Sequence, residues 1–168
     1  MEATPPLIVT LKLNEEAQSY FTALRTQYFP AHANYLDAHL TMFHHLPSSE
    51  PFIEDVLQDL ATIDAFALEV SEIKNIGNGV AFAITSPPLM DLHSSLQQAF
   101  RGHLISQDRH RIWPHITVQN KVTAFKAQQT AEFLQRGFRA FTIQAIGLDT
   151  WHYLKGPWQH HRTYPFNI

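Results

Sequence analysis

Two short segments of the chain share a pattern of residue types that could carry acid–base chemistry. Residues 39–42 (HLTM) and 115–118 (HITV) both read histidine, apolar, threonine, apolar. About one His-x-Thr triplet is expected by chance in a chain of this composition, and a further copy at 161–163 (HRT) has arginine at the apolar position. The two complete copies therefore form a repeated motif.

The spacing within each motif predicts which side chains share a face. In a strand, His39 and Thr41 point to one face while the residues between and after them point into a core, and the same holds for His115 and Thr117. The histidine and threonine of one motif then lie about 6–7 Å apart, which suits a single phosphate-sized group. Two histidines that face one substrate can act as general acid and general base near pH 7.

Two aromatic side chains near the motifs are candidate substrate contacts. Phe43 follows Thr41 on the same alternating face, and Trp113 precedes His115 on the same alternating face. Each could stack on a nucleobase, because base–aromatic stacking tolerates any base. Each could equally be a packing residue at the edge of a cleft, and the sequence leaves both interpretations open.

The stretch before the second motif is locally basic. It could hold the flanking phosphates of a substrate, or it could be a solvated loop. Its basic residues are Arg101, His103, Arg109, His110 and Arg111.

The remaining histidines raise the question of a metal site. No His-Glu-x-x-His pattern or other familiar ligand spacing occurs, and the chain has no cysteine. We therefore expect no metal and no cofactor. The alternative is a metal hydrolase built on the surplus histidines, namely His32, His44, His45, His152, His160 and His161.

Length and composition limit the class of protein. A chain of 168 residues with 45% hydrophobic residues is expected to fold as one domain. Twelve Lys and Arg against fifteen Asp and Glu give a formal charge of −3, which argues against a surface that coats long nucleic acid. The start carries Glu2 and no basic stretch before an apolar run, and no run approaches the ~18 residues of a membrane span. We expect a soluble cytoplasmic protein that does not bind membranes.

Strand and helix periodicities alternate along the chain. They predict a strand–helix–strand–helix–strand unit that occurs twice, joined by a turn at 77–79 (GNG) and followed by a closing strand pair. Four polar residues or pairs are predicted to cap helices, one proline to open a helix, and a proline and a glycine to end them. The predicted strands are 7–13, 39–46, 66–76, 80–85, 115–122 and 141–148, with a final pair around 153 and 164–168. The predicted helix caps are Asn14, Ser48–Ser49, Ser86 and Thr123. Pro51 is predicted to open the second helix, and Pro30 and Gly137 are predicted to end helices.

The repeated order predicts how the domain is organised. We expect a single domain over residues 1–168 made of two pseudo-symmetric lobes, approximately 1–76 and 79–150, with the strand pair in 151–168. The motifs occupy matching places in the two lobes, so a pseudo-twofold arrangement would bring two imidazoles and two hydroxyls into one pocket.

These features resemble the 2H phosphoesterase superfamily, in its 2′-5′ RNA ligase-like branch. Residues 113–121 (WPHITVQNK) are similar to the second motif of that branch, and 154–158 (LKGPW) are similar to its closing hairpin. Ala38 departs from the pattern, because proline is common ahead of the first motif. The resemblance implies an α+β fold with two lobes of antiparallel sheet and flanking helices around a central cleft.

The resemblance also implies an activity. It implies metal-independent cleavage of cyclic phosphodiesters or 2′-5′ linkages, with His39 and His115 catalytic and Thr41 and Thr117 on the phosphate. The expected partner is a nucleotide or a short RNA end that carries a 2′,3′-cyclic phosphate or a 2′-5′ linkage, bound by a monomer. The alternative is a non-catalytic module that binds a nucleotide or RNA end in the same cleft.

Overall fold

The computed structural model describes residues 4–168, in which the predicted order of strands and helices is confirmed apart from an additional short helix and a different closing strand pair. Glu2, cited above for the acidic start of the chain, lies outside the described residues. The strands are β1 (Leu7–Leu13), β2 (Leu40–Leu46), β3 (Phe66–Asn75), β4 (Val80–Thr85), β5 (His115–Gln119), β6 (Phe141–Tyr153) and β7 (Trp158–Pro165). The helices are α1 (Glu15–Tyr28), α2 (Pro51–Leu60), α3 (Pro87–Ala99), α4 (Ser106–Arg109) and α5 (Ala124–Gln135). Among these residues, no helix has the length and apolar character that crossing a membrane requires.

The local signals that start the helices are only partly as predicted. Ser86 and Thr123 cap α3 and α5, each accepting a hydrogen bond from a backbone N–H three residues later. Asn14 occupies the N-cap position of α1 as predicted, but its side chain makes no capping bond, because its oxygen accepts instead from the backbone N–H of Gln144 in β6. The predicted serine cap of α2 is also wrong, since that helix begins at Pro51 directly after Glu50. At the start of α1, a long-range hydrogen bond from β6 thus takes the side-chain oxygen that would otherwise cap the helix.

Two segments of the second half also differ from prediction. The basic stretch contains the short helix α4, which periodicity cannot reveal over four residues. The sixth strand does not stop at Leu148 but runs on to Tyr153, so the closing pair is the end of β6 with β7. The fifth strand ends earlier than predicted, at Gln119.

The strands β1 to β7 belong to one sheet, and each pair of neighbouring strands in it is antiparallel. Its order is β2-β1-β6-β3-β4-β5, with β7 on the C-terminal half of β6. When β1, β2 and β3 are exchanged with β4, β5 and β6, the result is the same order read in reverse, as a pseudo-twofold axis requires. The division into lobes 1–76 and 79–150 stays a prediction, which this exchange symmetry supports.

The sheet curls until its two edge strands meet. β2 and β5 are the ends of the strand order, yet some of their Cα atoms lie within 8 Å of each other. Helix α1 packs on β5, so the first helix of the chain lies against the second motif strand. The strands that carry the two histidine motifs are therefore brought together by the curl of the sheet.

A close backbone approach fixes the hairpin between β3 and β4. Gly79 lies so near the end of β5 that a Cβ atom there would overlap the carbonyl oxygen of Gln119. Gly77, in the same turn, has a φ of +99° but open space around it. Glycine is thus needed at the two positions for different reasons, backbone contact at one and conformation at the other.

We predict that Gly79→Ala lowers the free energy of unfolding by more than about 3 kcal/mol, because the overlap is with backbone and cannot relax by side-chain motion. Gly77→Ala is the matched control and should cost about 1–2 kcal/mol, the strain of a left-handed residue. Denaturant unfolding measures both. Equal losses for the two variants would mean that the contact with Gln119 does not constrain the hairpin.

Candidate active site

The four motif residues line one cavity. His39 directly precedes β2 and Thr41 lies within it, while His115 begins β5 and Thr117 follows two residues later. All four side chains border a cavity of about 370 Å³ between the two edge strands. The residues that alternate with them, such as Leu40 and Ile116, are fully buried. The predicted separation of polar and core faces is confirmed at both motifs.

The two imidazoles are held by equivalent hydrogen bonds. Nδ1 of His39 lies 2.9 Å from the carbonyl oxygen of Asp37, and Nδ1 of His115 lies 2.7 Å from that of Trp113. A carbonyl oxygen can only accept, so each Nδ1 must carry the hydrogen. In the neutral ring, Nε2 is then the unprotonated nitrogen. Each histidine therefore keeps Nε2 free to accept or return a proton.

Burial and neighbouring charges favour the neutral form of both rings. The pKa of His39 is lowered to about 4, chiefly by burial and in smaller part by the nearby Arg25, His115 and His44, against the opposing hydrogen bond to the carbonyl oxygen of Asp37. Burial is also the main cause that lowers the pKa of His115, with a smaller contribution from His44. In the free protein at pH 7 both imidazoles are therefore neutral. A negative charge in the cavity would raise both pKa values and favour protonation of one ring.

Trp113 lies where the sequence predicts a substrate contact. Its ring stacks on His115 with 4.2 Å between centroids and an interplanar angle of 19°. It borders the cavity and is 46% exposed, so one face stays open to solvent. Its position suits a substrate contact, and that role stays a proposal.

The prediction that Phe43 faces the cleft is wrong. The pairing of β1 with β2 skips one residue, so Val9 pairs with Phe43 directly after Thr10 pairs with Thr41. This bulge lets two consecutive residues, Met42 and Phe43, both turn into the core. Phe43 is fully buried and stacks on the ring of His93 at 4.8 Å. It cannot stack on a nucleobase.

The bulge instead brings His44 to the cavity, where Asp108 holds it. The carboxylate of Asp108, in α4, accepts bonds of 2.9 Å from the backbone N–H and Nδ1 of His44, and one of 3.0 Å from the N–H of His45. Asp108 is 3% exposed. His93 supports the same bulge from α3, since its Nε2 lies 3.1 Å from the carbonyl oxygen of Met42. Sequence reasoning missed this group because its members are distant in sequence and the bulge breaks the alternation.

A buried arginine ties helix α1 to the segment before β2 and to β5. Nε of Arg25, in α1, donates to the side-chain oxygen of Asn34 at 2.8 Å, and its Nη1 donates to the carbonyl oxygen of Thr117 at 3.4 Å. The guanidinium lies 4.0 Å from the centre of the Phe29 ring. Burial lowers the pKa of Arg25 against the opposing charge of Asp37. No signal in the sequence indicates this link beyond a basic residue near a helix end.

The predicted basic stretch divides between two places. His110 and Arg111 border the cavity, where they can meet a phosphate. Arg101 and Arg109 border a separate depression, and His103 packs against a phenylalanine of α2. Only the end nearest the second motif is therefore part of the candidate site.

Three of the surplus histidines each contact one carboxylate, His44 on Asp108 as described above and two others on the C-terminal strand. His160 lies 3.1 Å from Asp149, and His161 lies 2.7 Å from Glu54. Within residues 4–168 no group of three or more His, Asp or Glu side chains is arranged to hold a metal ion. The cavity supplies the imidazoles of both motif histidines, the hydroxyls of both motif threonines and the basic side chains at its border. These groups are suited to proton transfer at a phosphate ester.

One family model matches most of the chain. The model described as the 2′-5′ RNA ligase superfamily matches residues 13–157. A search of curated protein sequences returned no significant match.

Several solved structures share the fold at low sequence identity. E. coli LigT complexed with ATP is 18% identical, with 99% of this chain and 100% of that chain covered and a TM-score of 0.62. TT0787 of Thermus thermophilus is 15% identical, with 95% and 97% covered and a TM-score of 0.69. Usb1 of Kluyveromyces marxianus is 11% identical, with 97% and 99% covered and a TM-score of 0.53. The predicted α+β fold is confirmed by these likenesses.

We predict that Asp108→Asn lowers the free energy of unfolding at pH 7 by about 1.5–3 kcal/mol, since three N–H donors lose a charged acceptor. Burial raises the pKa of Asp108, but the hydrogen bonds from His44 and His45 outweigh it and hold the pKa below its usual range. The stabilisation is therefore present above the unfolded pKa near 3.8 and is lost as pH falls through the lower folded value.

Denaturant unfolding at pH 7 and pH 3 checks this prediction, with Asp91→Asn on the exposed side of α3 as the control. The control should change stability by less than about 0.5 kcal/mol. A deficit of Asp108→Asn that stays constant with falling pH would contradict a depressed carboxyl pKa.

Proposed function

The chain belongs to the 2′-5′ RNA ligase superfamily, and from this premise we propose a metal-independent phosphodiesterase that acts on 2′,3′-cyclic phosphates or 2′-5′ phosphodiester ends of RNA or nucleotides. The observation that carries the proposal is the pair of imidazoles anchored through Nδ1, His39 and His115, with Thr41 and Thr117 on the same cavity. The proposed catalytic residues are the two histidines. The proposed phosphate ligands are the two threonines.

Hydrolysis of a cyclic phosphate needs one base and one acid. In the proposed step, Nε2 of one histidine removes a proton from water as the water oxygen bonds to phosphorus. The bond from phosphorus to a ribose oxygen breaks, and Nε2–H of the other histidine protonates that oxygen. The threonine hydroxyls donate to the non-bridging oxygens, where negative charge develops.

The two histidines are not equivalent in their electrostatic surroundings, so we assign them different roles. His39 has the strongly lowered pKa of about 4 and is the better candidate for the neutral base. His115 is then the acid, and the bound phosphate favours its protonated form. His44 and Arg111 border the same cavity and supply nearby N–H donors for the phosphate.

A nucleotide is the substrate class that the surroundings support. The structures of E. coli LigT include complexes with 3′-AMP and with ATP. In this chain the open face of Trp113 offers a stacking surface beside His115. The net charge of −3 favours a small nucleotide or RNA end over a long strand.

We predict that His39→Ala and His115→Ala each lower kcat on a 2′,3′-cyclic nucleotide by roughly 10²–10⁴-fold, because each removes one proton-transfer group. Thr41→Ala and Thr117→Ala should each cost less, about 1.5–3 kcal/mol of transition-state binding. Initial rates measure these effects, and circular dichroism checks that the variants fold. A wild-type protein that binds the nucleotide without turnover would instead support the binding-module alternative.

We predict that kcat/KM on a cyclic mononucleotide passes through a maximum between about pH 4 and pH 6.5. On the acid side His39, with its pKa of about 4, must stay neutral, and on the alkaline side His115 must be protonated, with its pKa lowered from 6.5. The maximum of kcat should lie at higher pH, since bound anionic substrate raises both pKa values.

Rates measured with and without excess EDTA should coincide. A rate that climbs steadily into alkaline pH would indicate attack by hydroxide, and loss of activity with EDTA would indicate a metal.

A further inference from the structure

Each motif histidine depends on the orientation of the peptide unit just ahead of it. In the first motif this unit joins the carbonyl of Asp37 to the N–H of Ala38, and its oxygen accepts from Nδ1 of His39 at 2.9 Å. No peptide bond among the described residues is cis. A trans peptide is planar, so its N–H and its carbonyl oxygen point in opposite directions. Whatever holds the N–H of Ala38 therefore also aims the oxygen of Asp37 at His39.

Two side chains of α1 hold the backbone of Ala38. The hydroxyl oxygen of Thr22 accepts from the N–H of Ala38 at 3.2 Å. The side-chain amide of Gln18 donates to the carbonyl oxygen of Ala38 at 2.7 Å and to the hydroxyl of Thr22 at 3.0 Å. Gln18 and Thr22 are four residues apart, so they share one face of the helix. One turn of α1 thus satisfies both backbone polar groups of the residue before His39.

Burial makes the backbone of Ala38 depend on these two partners. Ala38 is 3% exposed, and a buried N–H that loses its acceptor cannot turn to water instead. The helix that carries the partners is itself fixed, because Ala17 and Phe21 bury its apolar face. On the next turn of α1, Arg25 donates to the carbonyl oxygen of Thr117 in β5. The helix therefore places its two polar side chains against a defined point between the motif strands.

The second motif supports the same peptide unit by different means. Pro114 directly precedes the second motif histidine, at the place that Ala38 has in the first motif. Proline has no N–H to satisfy, and its ring restricts φ without help from another residue. The carbonyl oxygen of Pro114 accepts from the backbone N–H of Ile84 in β4 at 2.9 Å. The proline makes a partner like Thr22 unnecessary, and β4 supplies the bond that Gln18 supplies in the first motif.

We propose that Thr22 and Gln18 are positioning residues for His39, which act by orienting the peptide unit that fixes its tautomer. This inference rests on the proposed function, in which the unprotonated Nε2 of His39 is the base. Neither residue borders the cavity of the four motif residues, so neither is placed to touch the phosphate. Without the hydroxyl of Thr22, the N–H of Ala38 has no acceptor and the peptide unit is free to turn. The hydrogen of the imidazole can then sit on Nε2, which blocks the base.

The first test removes the hydroxyl of Thr22 and keeps the branched shape of the side chain. Thr22→Val should lower kcat on adenosine 2′,3′-cyclic phosphate roughly 10- to 100-fold with little change in KM, because a displaced proton-transfer group is costly while the phosphate ligands stay in place. Thr22→Ser keeps the acceptor oxygen and should stay within about threefold of the wild type. Thr26→Val, at an exposed position one turn later in α1, is the matched control and should change kcat less than about twofold. A Thr22→Val variant as active as this control would overturn the positioning role.

The tautomer of His39 gives a second measurement that needs no substrate. It is recorded from long-range ¹H–¹⁵N spectra of ¹⁵N-histidine-labelled protein at pH 7, and circular dichroism checks that the variants fold. In Thr22→Val, part of the His39 population should carry its hydrogen on Nε2, while His115 keeps the pattern of the wild type. Gln18→Met, which keeps the length of the side chain and removes both of its donors, should act in the same direction.

The two measurements separate this inference from the proposed function. A changed tautomer of His39 in Thr22→Val, in a protein whose wild type does not turn over the cyclic nucleotide, would overturn the phosphodiesterase proposal and keep the positioning role. Loss of turnover in a folded Thr22→Val variant with the His39 tautomer unchanged would overturn the positioning role and keep the enzyme. Equal changes at His39 and His115 would also overturn it, since the second motif has its own supports.

Discussion

The arrangement of the site depends on one hydrogen bond that occurs twice. Each motif histidine donates from Nδ1 to the carbonyl oxygen two residues before it, that of Asp37 or of Trp113. The bond fixes which nitrogen carries the hydrogen and holds the ring against rotation. Without it either tautomer would be available and Nε2 would not be reserved for a substrate. Because the acceptors are backbone atoms just ahead of β2 and β5, the chemistry is tied to the path of the chain rather than to another side chain.

The sheet makes these two local arrangements into one site. β2 and β5 are the two ends of a strand order that curls back on itself, so each motif has an open flank facing the other. Arg25 links the first helix to β5, and Asp108 links α4 to the bulge in β2. Both charged groups are buried and hydrogen-bonded, as buried charges must be. They hold the two strands in position, and Arg111 at the border of the cavity supplies positive charge that suits a phosphate.

The sequence predicted what depends on local pattern. Alternation and turn residues were enough to order the strands and helices, and the repeated motif was enough to bring His39 and His115 together. The bulge could not be foreseen, because one extra residue in a strand leaves the alternation of a short segment ambiguous. That is why the alternation places Phe43 on the face of His39 and Thr41, although it packs on His93 in the core. Asp108 contacts His44 across a long sequence separation, and no spacing rule connects such residues.

The central claim is that both imidazoles are neutral, carry their hydrogen on Nδ1 and keep Nε2 free. Long-range ¹H–¹⁵N correlation spectra of ¹⁵N-histidine-labelled protein at pH 7 report the tautomer of each ring directly. His39 and His115, assigned by loss of their signals in the His39→Gln and His115→Gln variants, should each give a protonated Nδ1 and an unprotonated Nε2. A protonated Nε2 on either neutral ring would contradict the proposed acid–base pair.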